Sequence, residues 1–256
     1  MLRPRIIPSL LIHNGGLVKT KNFKNPKYIG DPINAIKIFS EKKVDELVIF
    51  DIDATVLNKE PNYSLIKKMA LQSRMPLCYG GGVKTVEQAQ RIIRLGVEKI
   101  AISAAAVENP QLIFDIANEV GSQSVVVVID VSQINNREYE ILTHNAKKSV
   151  KFDPLKFALQ MQSLGAGEII INNVDRDGTL KGYDWNLIDQ FREVLNIPLT
   201  ILGGASSLEN IKEAVERYEI IGIAAGSLFV FKGKYQAVLI NYPNREKKEN
   251  LFKIKK

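Results

Sequence analysis

Eight short apolar runs, each followed by a polar stretch and separated by amphipathic segments, constrain this chain more than any other feature. The runs are Arg5–Ile12, Glu46–Ile52, Leu77–Tyr79, Lys99–Ile102, Ser124–Asp130, Glu168–Ile171, Pro198–Leu202 and Ile221–Ala225. They are nearly continuous rather than alternating, which is what strands buried on both faces of a parallel sheet require. Helical patterns fall between them, for example 32–43, 85–95, 110–119, 154–164 and 208–217. The 17-residue stretch from Glu168 to Asp184, EIIINNVDRDGTLKGYD, is the clearest unit: a buried strand, a polar loop and a helix start. Eight such units predict a closed α/β (β/α)₈ barrel, with an open doubly wound sheet as the alternative.

An internal repeat favours the barrel. Glu46 and Glu168 both open an apolar strand and lie 122 positions apart. Gly82 and Gly204, and also Glu87 and Glu209, keep the same offset. The chain is therefore expected to consist of two fused half-barrels forming a single domain over residues 1–256. Residues 131–151 depart from the repeat as an insertion; Asn135-Asn136 and the loosely alternating 139–143 predict a small β-hairpin there. Lys19 to Gly30 is expected to be a long lysine-rich loop on the same face, and loops of this length often act as lids. After Phe229 the eighth helix is weakly signalled, with Pro243 expected to end it.

Charge and cysteine usage narrow the function. The net charge is +7, and the tail 245–256 holds six basic and two acidic residues. Such a tail can bind nucleic acid, but no aromatic platform or recognition motif accompanies it, so a solvated terminus is expected instead. No apolar run reaches the roughly 20 residues of a membrane helix. Pro4, Arg5 and Pro8 interrupt any signal-peptide core. The one cysteine, Cys78, cannot form an internal disulfide. A soluble cytoplasmic protein with neither nucleic-acid nor membrane partners is expected, with no cofactor and no metal.

Two glycine-rich turns stand at matching places: Gly80-Gly81-Gly82 after the third strand and Gly203-Gly204 after the seventh. Each half adds a second turn of small residues, Ser103-Ala104 and Gly226-Ser227. Glycines let backbone N–H groups close on phosphate oxygens, and they also simply permit tight turns; two sites at one repeat offset favour phosphate. Asp51, Asp130 and Asp177 are expected at the C-terminal ends of strands, where carboxylates escape the core.

The stretch from Glu168 to Asp184 resembles the cyclase subunit of imidazole glycerol phosphate synthase, the HisF-like family. Arg5-Ile6-Ile7-Pro8, Gly15 to Lys19, Gly80-Gly81-Gly82-Val83 and Ala105-Ala106-Val107-Glu108-Asn109-Pro110 resemble it too, in register from Arg5 to about Phe229. The resemblance implies that Asp130 is a catalytic acid/base. It implies a phosphorylated substrate held by Lys19, Asp51, Gly81, Gly82, Ser103, Ala104, Asp177, Gly178, Gly203, Gly204, Gly226 and Ser227. It also implies that Arg5, Glu46, Lys99 and Glu168 form an ammonia gate facing a HisH-like glutaminase subunit.

One position departs from the family. Where the family carries its first catalytic aspartate, this chain has Leu11, the counterpart of Asp130 in the other half-barrel. Leucine moves no protons, and losing one general acid or base costs about 10²–10⁴-fold in rate. His13, on the same strand face, is the nearest substitute that alternation offers. A divergent branch of the family lacks the same aspartate and is associated with amidation of sugars in bacterial surface polysaccharides, beside a separate sugar amidotransferase. That function is the first expectation. The alternatives are an ordinary histidine-pathway cyclase with altered acid/base chemistry, and a catalytically silent scaffold for the glutaminase.

Overall fold

The computed structural model describes residues 3–135 and 138–253. Eight parallel strands form its centre: β1 (Arg5–His13), β2 (Leu47–Asp51), β3 (Leu77–Gly80), β4 (Lys99–Ile102), β5 (Val125–Asn135), β6 (Glu168–Asn173), β7 (Leu199–Leu202) and β8 (Gly222–Ala225). Each pairs with the next, and β8 pairs back onto β1 from Arg5↔Gly222 to Pro8↔Ala225. The ring of hydrogen bonds is complete, so the open sheet is ruled out and the fold is a (β/α)₈ barrel.

Strand alternation divides the apolar residues into two layers. Ile7, Val48, Cys78, Ala101, Val126, Val128, Ile170, Leu202 and Ala224 form a cluster in the lumen. Their strand neighbours, such as Ile6, Ile49, Tyr79, Ile100, Val127, Ile171 and Ile223, belong to the outer core beneath the helices. Both faces are buried, which explains the continuous apolar runs.

The outer layer holds α1 (Pro32–Glu41), α2 (Tyr63–Gln72), α3 (Val86–Arg94), α4 (Gln111–Val120), α5 (Pro154–Ser163), α6 (Trp185–Val194), α7 (Leu208–Tyr218) and α8 (Arg245–Leu251). Local chemistry sets several starts. Asp31 and Asp153 cap helices whose first residue is proline, and Asn62, Thr85 and Asp184 accept from backbone N–H groups three residues on. Glu87 and Glu209 both stand in the first turn of their helices, as the repeat predicts.

Four expectations are corrected. Lys19–Gly30 is not an open loop: Gly16–Lys21 turns back on β1, and Lys24–Gly30 pairs with it. The turn is Asn14-Gly15, both with positive φ (50° and 77°), the geometry of a two-residue hairpin. Second, β5 does not end at Asp130, because the insertion carries it on to Asn135 by pairing with Glu138–Thr143, and Lys148–Val150 adds a further strand. The expected hairpin is therefore present, although its turn residue Asn136 lies outside the described residues. Third, Asp177 sits in the turn beyond β6 rather than at the strand end. Fourth, Pro243 ends no helix. The short helix Ser227–Val230 gives way to the strand pair Phe231–Lys232 and Ala237–Val238, and Pro243 precedes α8, which Asn244 caps. Most of the basic tail is thus helical and tied down, with Lys248 Nζ 2.7 Å from Asp45 Oδ1; its last three residues lie outside the description.

Candidate functional site

The C-terminal ends of the strands surround a cavity of about 140 Å³. Ser9 and Leu11 of β1, Asp51 of β2, Asp130 of β5 and Asn172 of β6 line it, as do Lys19, Gly81, Gly82, Ser103, Ala104 and Asp177. A recess of about 10 Å³ adjoins it, lined by Gly178, Gly203, Gly204, Gly226 and Ser227, and shares Asp177 and Leu202 with it. The residues expected to bind substrate are thereby brought to one face in two groups, one per half-barrel.

Asp130 accepts a hydrogen bond from Asn172 Nδ2 at 2.8 Å. Burial pushes its carboxyl up to about 7, with the Asn172 bond pulling the other way and Asp177 adding to the rise. A carboxyl so placed exchanges a proton near neutrality, as a general acid or base must. Asp51 folds back on its own turn, accepting from the N–H groups of Asp53 (3.0 Å) and Ala54 (3.2 Å). Burial raises its carboxyl against those bonds. Asp177 is also raised by burial, while Lys19 and the Thr20 hydroxyl, 3.4 Å away, oppose the rise.

Lys19 belongs to the hairpin strand after β1 and is buried. Its Nζ donates to Ser9 O at 3.3 Å. Burial lowers its basicity, with Asp177 opposing. A methyl group on Gly226 would fall 2.0 Å from this Nζ, so the ammonium rests directly against the second recess. The hairpin is docked there by Asn22, whose N–H donates to Asp177 O at 2.9 Å and whose side chain donates to Asp175 O at 2.6 Å. Gly178 allows this approach, since a Cβ there would meet Thr20 O at 2.1 Å.

Leu11 lines the cavity and carries no group able to exchange a proton. His13 does not replace it. Its Nδ1 lies 2.7 Å from Asp53 Oδ1, whose other oxygen accepts from Asn14 N at 2.6 Å, and His13 is not among the lining residues. Sequence reasoning missed two contributors from the insertion, His144 and Asn145. Residues 144–146 all have φ near +55 to +60°, and Asn145 Nδ2 pins the turn to Ile52 O at 2.8 Å. Their signal was present as a polar break, His144-Asn145, between strand-forming runs. Asn172 was also missed, because it follows the apolar run and reads as the start of the polar loop, whereas the strand runs on to Asn173.

At the opposite end of the lumen four charges close a ring. Arg5 pairs with Glu46 and, at 2.7 Å, with Glu168; Lys99 pairs with Glu46 at 2.9 Å and Glu168 at 2.8 Å. Thr200 also donates to Glu168. Burial alone would raise Glu168, but the two cations hold it below the ordinary carboxylate range. Burial likewise works against the Lys99 charge, and the two glutamates more than offset it.

The profile of a family described as histidine biosynthesis protein matches residues 5–236. A protein of Leptospira borgpetersenii, provisionally named imidazole glycerol phosphate synthase subunit HisF, is 53% identical over 98% of this chain and 100% of its own length. One of Vibrio vulnificus, provisionally named subunit hisF3 of the same enzyme, is 50% identical over 99% of this chain and 98% of its own. The imidazole glycerol phosphate synthase subunit HisF of Exiguobacterium sibiricum is 39% identical over 88% of this chain and 90% of its own.

Proposed function

The chain belongs to the HisF-like members of the histidine biosynthesis protein family, and from that membership we propose that it is an ammonia-handling synthase subunit whose acceptor chemistry has diverged. Ammonia released by a HisH-like glutaminase subunit enters at the ring of Arg5, Glu46, Lys99 and Glu168. It crosses the lumen to an acceptor held at the far mouth. The acceptor is phosphorylated or sugar-linked, and the setting is amidation of surface-polysaccharide sugars beside a separate amidotransferase.

The observation that carries this proposal is Leu11 in the cavity. Ring closure in the family draws on two aspartates. Here Asp130 is the one of that pair that remains. The paired glycine turns support a ligand with two anionic groups, because each offers backbone donors close to a strand end. The identities agree with a separate branch: relatives at 48–53% carry provisional names, two of them numbered, while those at 36–39% carry the plain HisF name.

A second function has its own support. The relatives' names point to imidazole glycerol phosphate synthesis, and Asp130, raised to about 7, suits acid/base work. Two measurements decide between them. The chain is expected to co-purify with a glutamine-hydrolysing subunit and to give negligible imidazole glycerol phosphate from ammonia and the family's bisphosphate substrate. Efficient cyclisation by the unaltered chain would return it to histidine biosynthesis, and failure to bind any glutaminase would remove the conduit.

A further inference from the structure

We propose that Asn172 is a positioning residue for Asp130: it occupies one carboxyl oxygen and so decides which oxygen exchanges protons with the cavity. This rests on the proton-transfer role given to Asp130 above. The two residues are direct partners in the β5–β6 register, Asn172↔Asp130, so their side chains leave adjacent strands side by side into the lumen. Asn172 is only 5% exposed. Its Nδ2 donates to Asp130 Oδ1 at 2.8 Å. No other side chain among the described residues hydrogen-bonds to Asp130, which leaves Oδ2 for the cavity.

The other half of the amide is placed differently. Asn172 Oδ1 accepts from no protein group, one of two such buried side-chain atoms among the described residues, and Asn172 lines the cavity. The one hydrogen bond that the amide makes within the protein is the N–H on Asp130. Gly203 (φ +93°) leaves room beside the amide oxygen that a side chain would close, since a Cβ there would lie 3.1 Å from Oδ1. So placed, Asn172 presents its N–H to the carboxyl. A proton taken up by Asp130 then goes onto Oδ2 and leaves from Oδ2, while Oδ1 stays engaged.

The test reads Asp130 directly. The full chain is labelled with carboxyl-¹³C aspartate, and the Asp130 resonance is assigned by its loss in Asp130→Asn. Asn172→Leu is expected to raise the Asp130 titration midpoint by roughly one pH unit, because a hydrogen bond to the charged form is lost. Asn172→Asp is expected to split the titration into two separated steps, as adjacent carboxyls do. An unmoved midpoint in Asn172→Leu overturns the proposal whatever happens to stability. Should that variant not fold, an unsplit titration in Asn172→Asp overturns it instead. A shifted midpoint combined with an unchanged pH profile of ammonia-dependent turnover would uphold the Asn172–Asp130 link and refute Asp130 as the proton-transfer group.

Discussion

Asp130 makes the molecule sensitive to pH. Its carboxyl titrates ordinarily at 3.8 and in the fold at about 7, chiefly through burial. Between those values the folded chain binds more protons than the unfolded one, so stability falls as pH rises through this window and is level above it. At about 1.4 kcal/mol per pH unit the loss is at most about 4 kcal/mol. Urea titrations of the native chain and Asp130→Asn at pH 4.5 and 7.5 should show a larger decline in the native chain than in the variant, since Asp51 and Asp177, also raised by burial, contribute to both. Leu11→Asp should raise ammonia-dependent imidazole glycerol phosphate formation from negligible to measurable, by restoring a second proton-transfer group. It should also cost about 1–3 kcal/mol, since the new carboxylate gains no partner in a half-buried place. Activity in neither protein would leave the divergent function standing but unproved, since a changed acceptor pocket gives the same result. At this scale the sequence was legible where alternation alone decides: Leu11 and Asp130 do line one cavity. His13 obeys the same alternation, yet Asp53, 40 positions away, draws its ring aside. Contacts of that kind leave no local trace.

The elements show the same division. Strands and helices came from hydrophobic period, and most of their observed bounds fall within a few positions of expectation. The first hairpin was legible but passed over: Asn14-Gly15 between apolar residues is a strong two-residue turn signal, masked by the lysines that follow. The α8 helix was not legible, because six charged or polar residues and one leucine make no apolar stripe. Tertiary contacts hold it instead. Asp45, nearly buried, accepts from Lys248 at 2.7 Å, from Ile6 N at 3.0 Å and from the Tyr242 hydroxyl at 3.2 Å. Asp45→Ala strands Ile6 N and unpairs Lys248, while the Tyr242 hydroxyl keeps Ile6 O at 2.8 Å, and it should cost roughly 3 kcal/mol in urea unfolding. It should also speed hydrogen exchange in residues 245–251. Unchanged exchange there would mean that α8 is held elsewhere.

For the molecule as a whole, the repeat is the most telling sequence feature, because the 122-residue offset superimposes function-bearing places and not only elements. Glu46 and Glu168 meet in one ring, although neither sequence environment shows the other charges that hold it. Lys99→Glu would leave Arg5 as the ring's one cation among three carboxylates. On the proposed route it should lower glutamine-dependent turnover several-fold more than turnover supplied with free ammonia. Equal losses in the two assays would argue against passage through the ring. From that ring to the cavity runs a packed cluster of nine apolar lumen side chains, of which Ala101, Val128 and Leu202 line the cavity itself. They form a low-dielectric sleeve, and an ion pays several kcal/mol to enter one even after relaxation, whereas a neutral molecule of the same size gives up only its hydrogen bonds to water. On the proposed route the sleeve would therefore sort solutes by ionisation rather than by diameter. Any nitrogen that crosses must leave its extra proton on the inlet side, and the supply to the cavity then rises with pH in step with the fraction of free base.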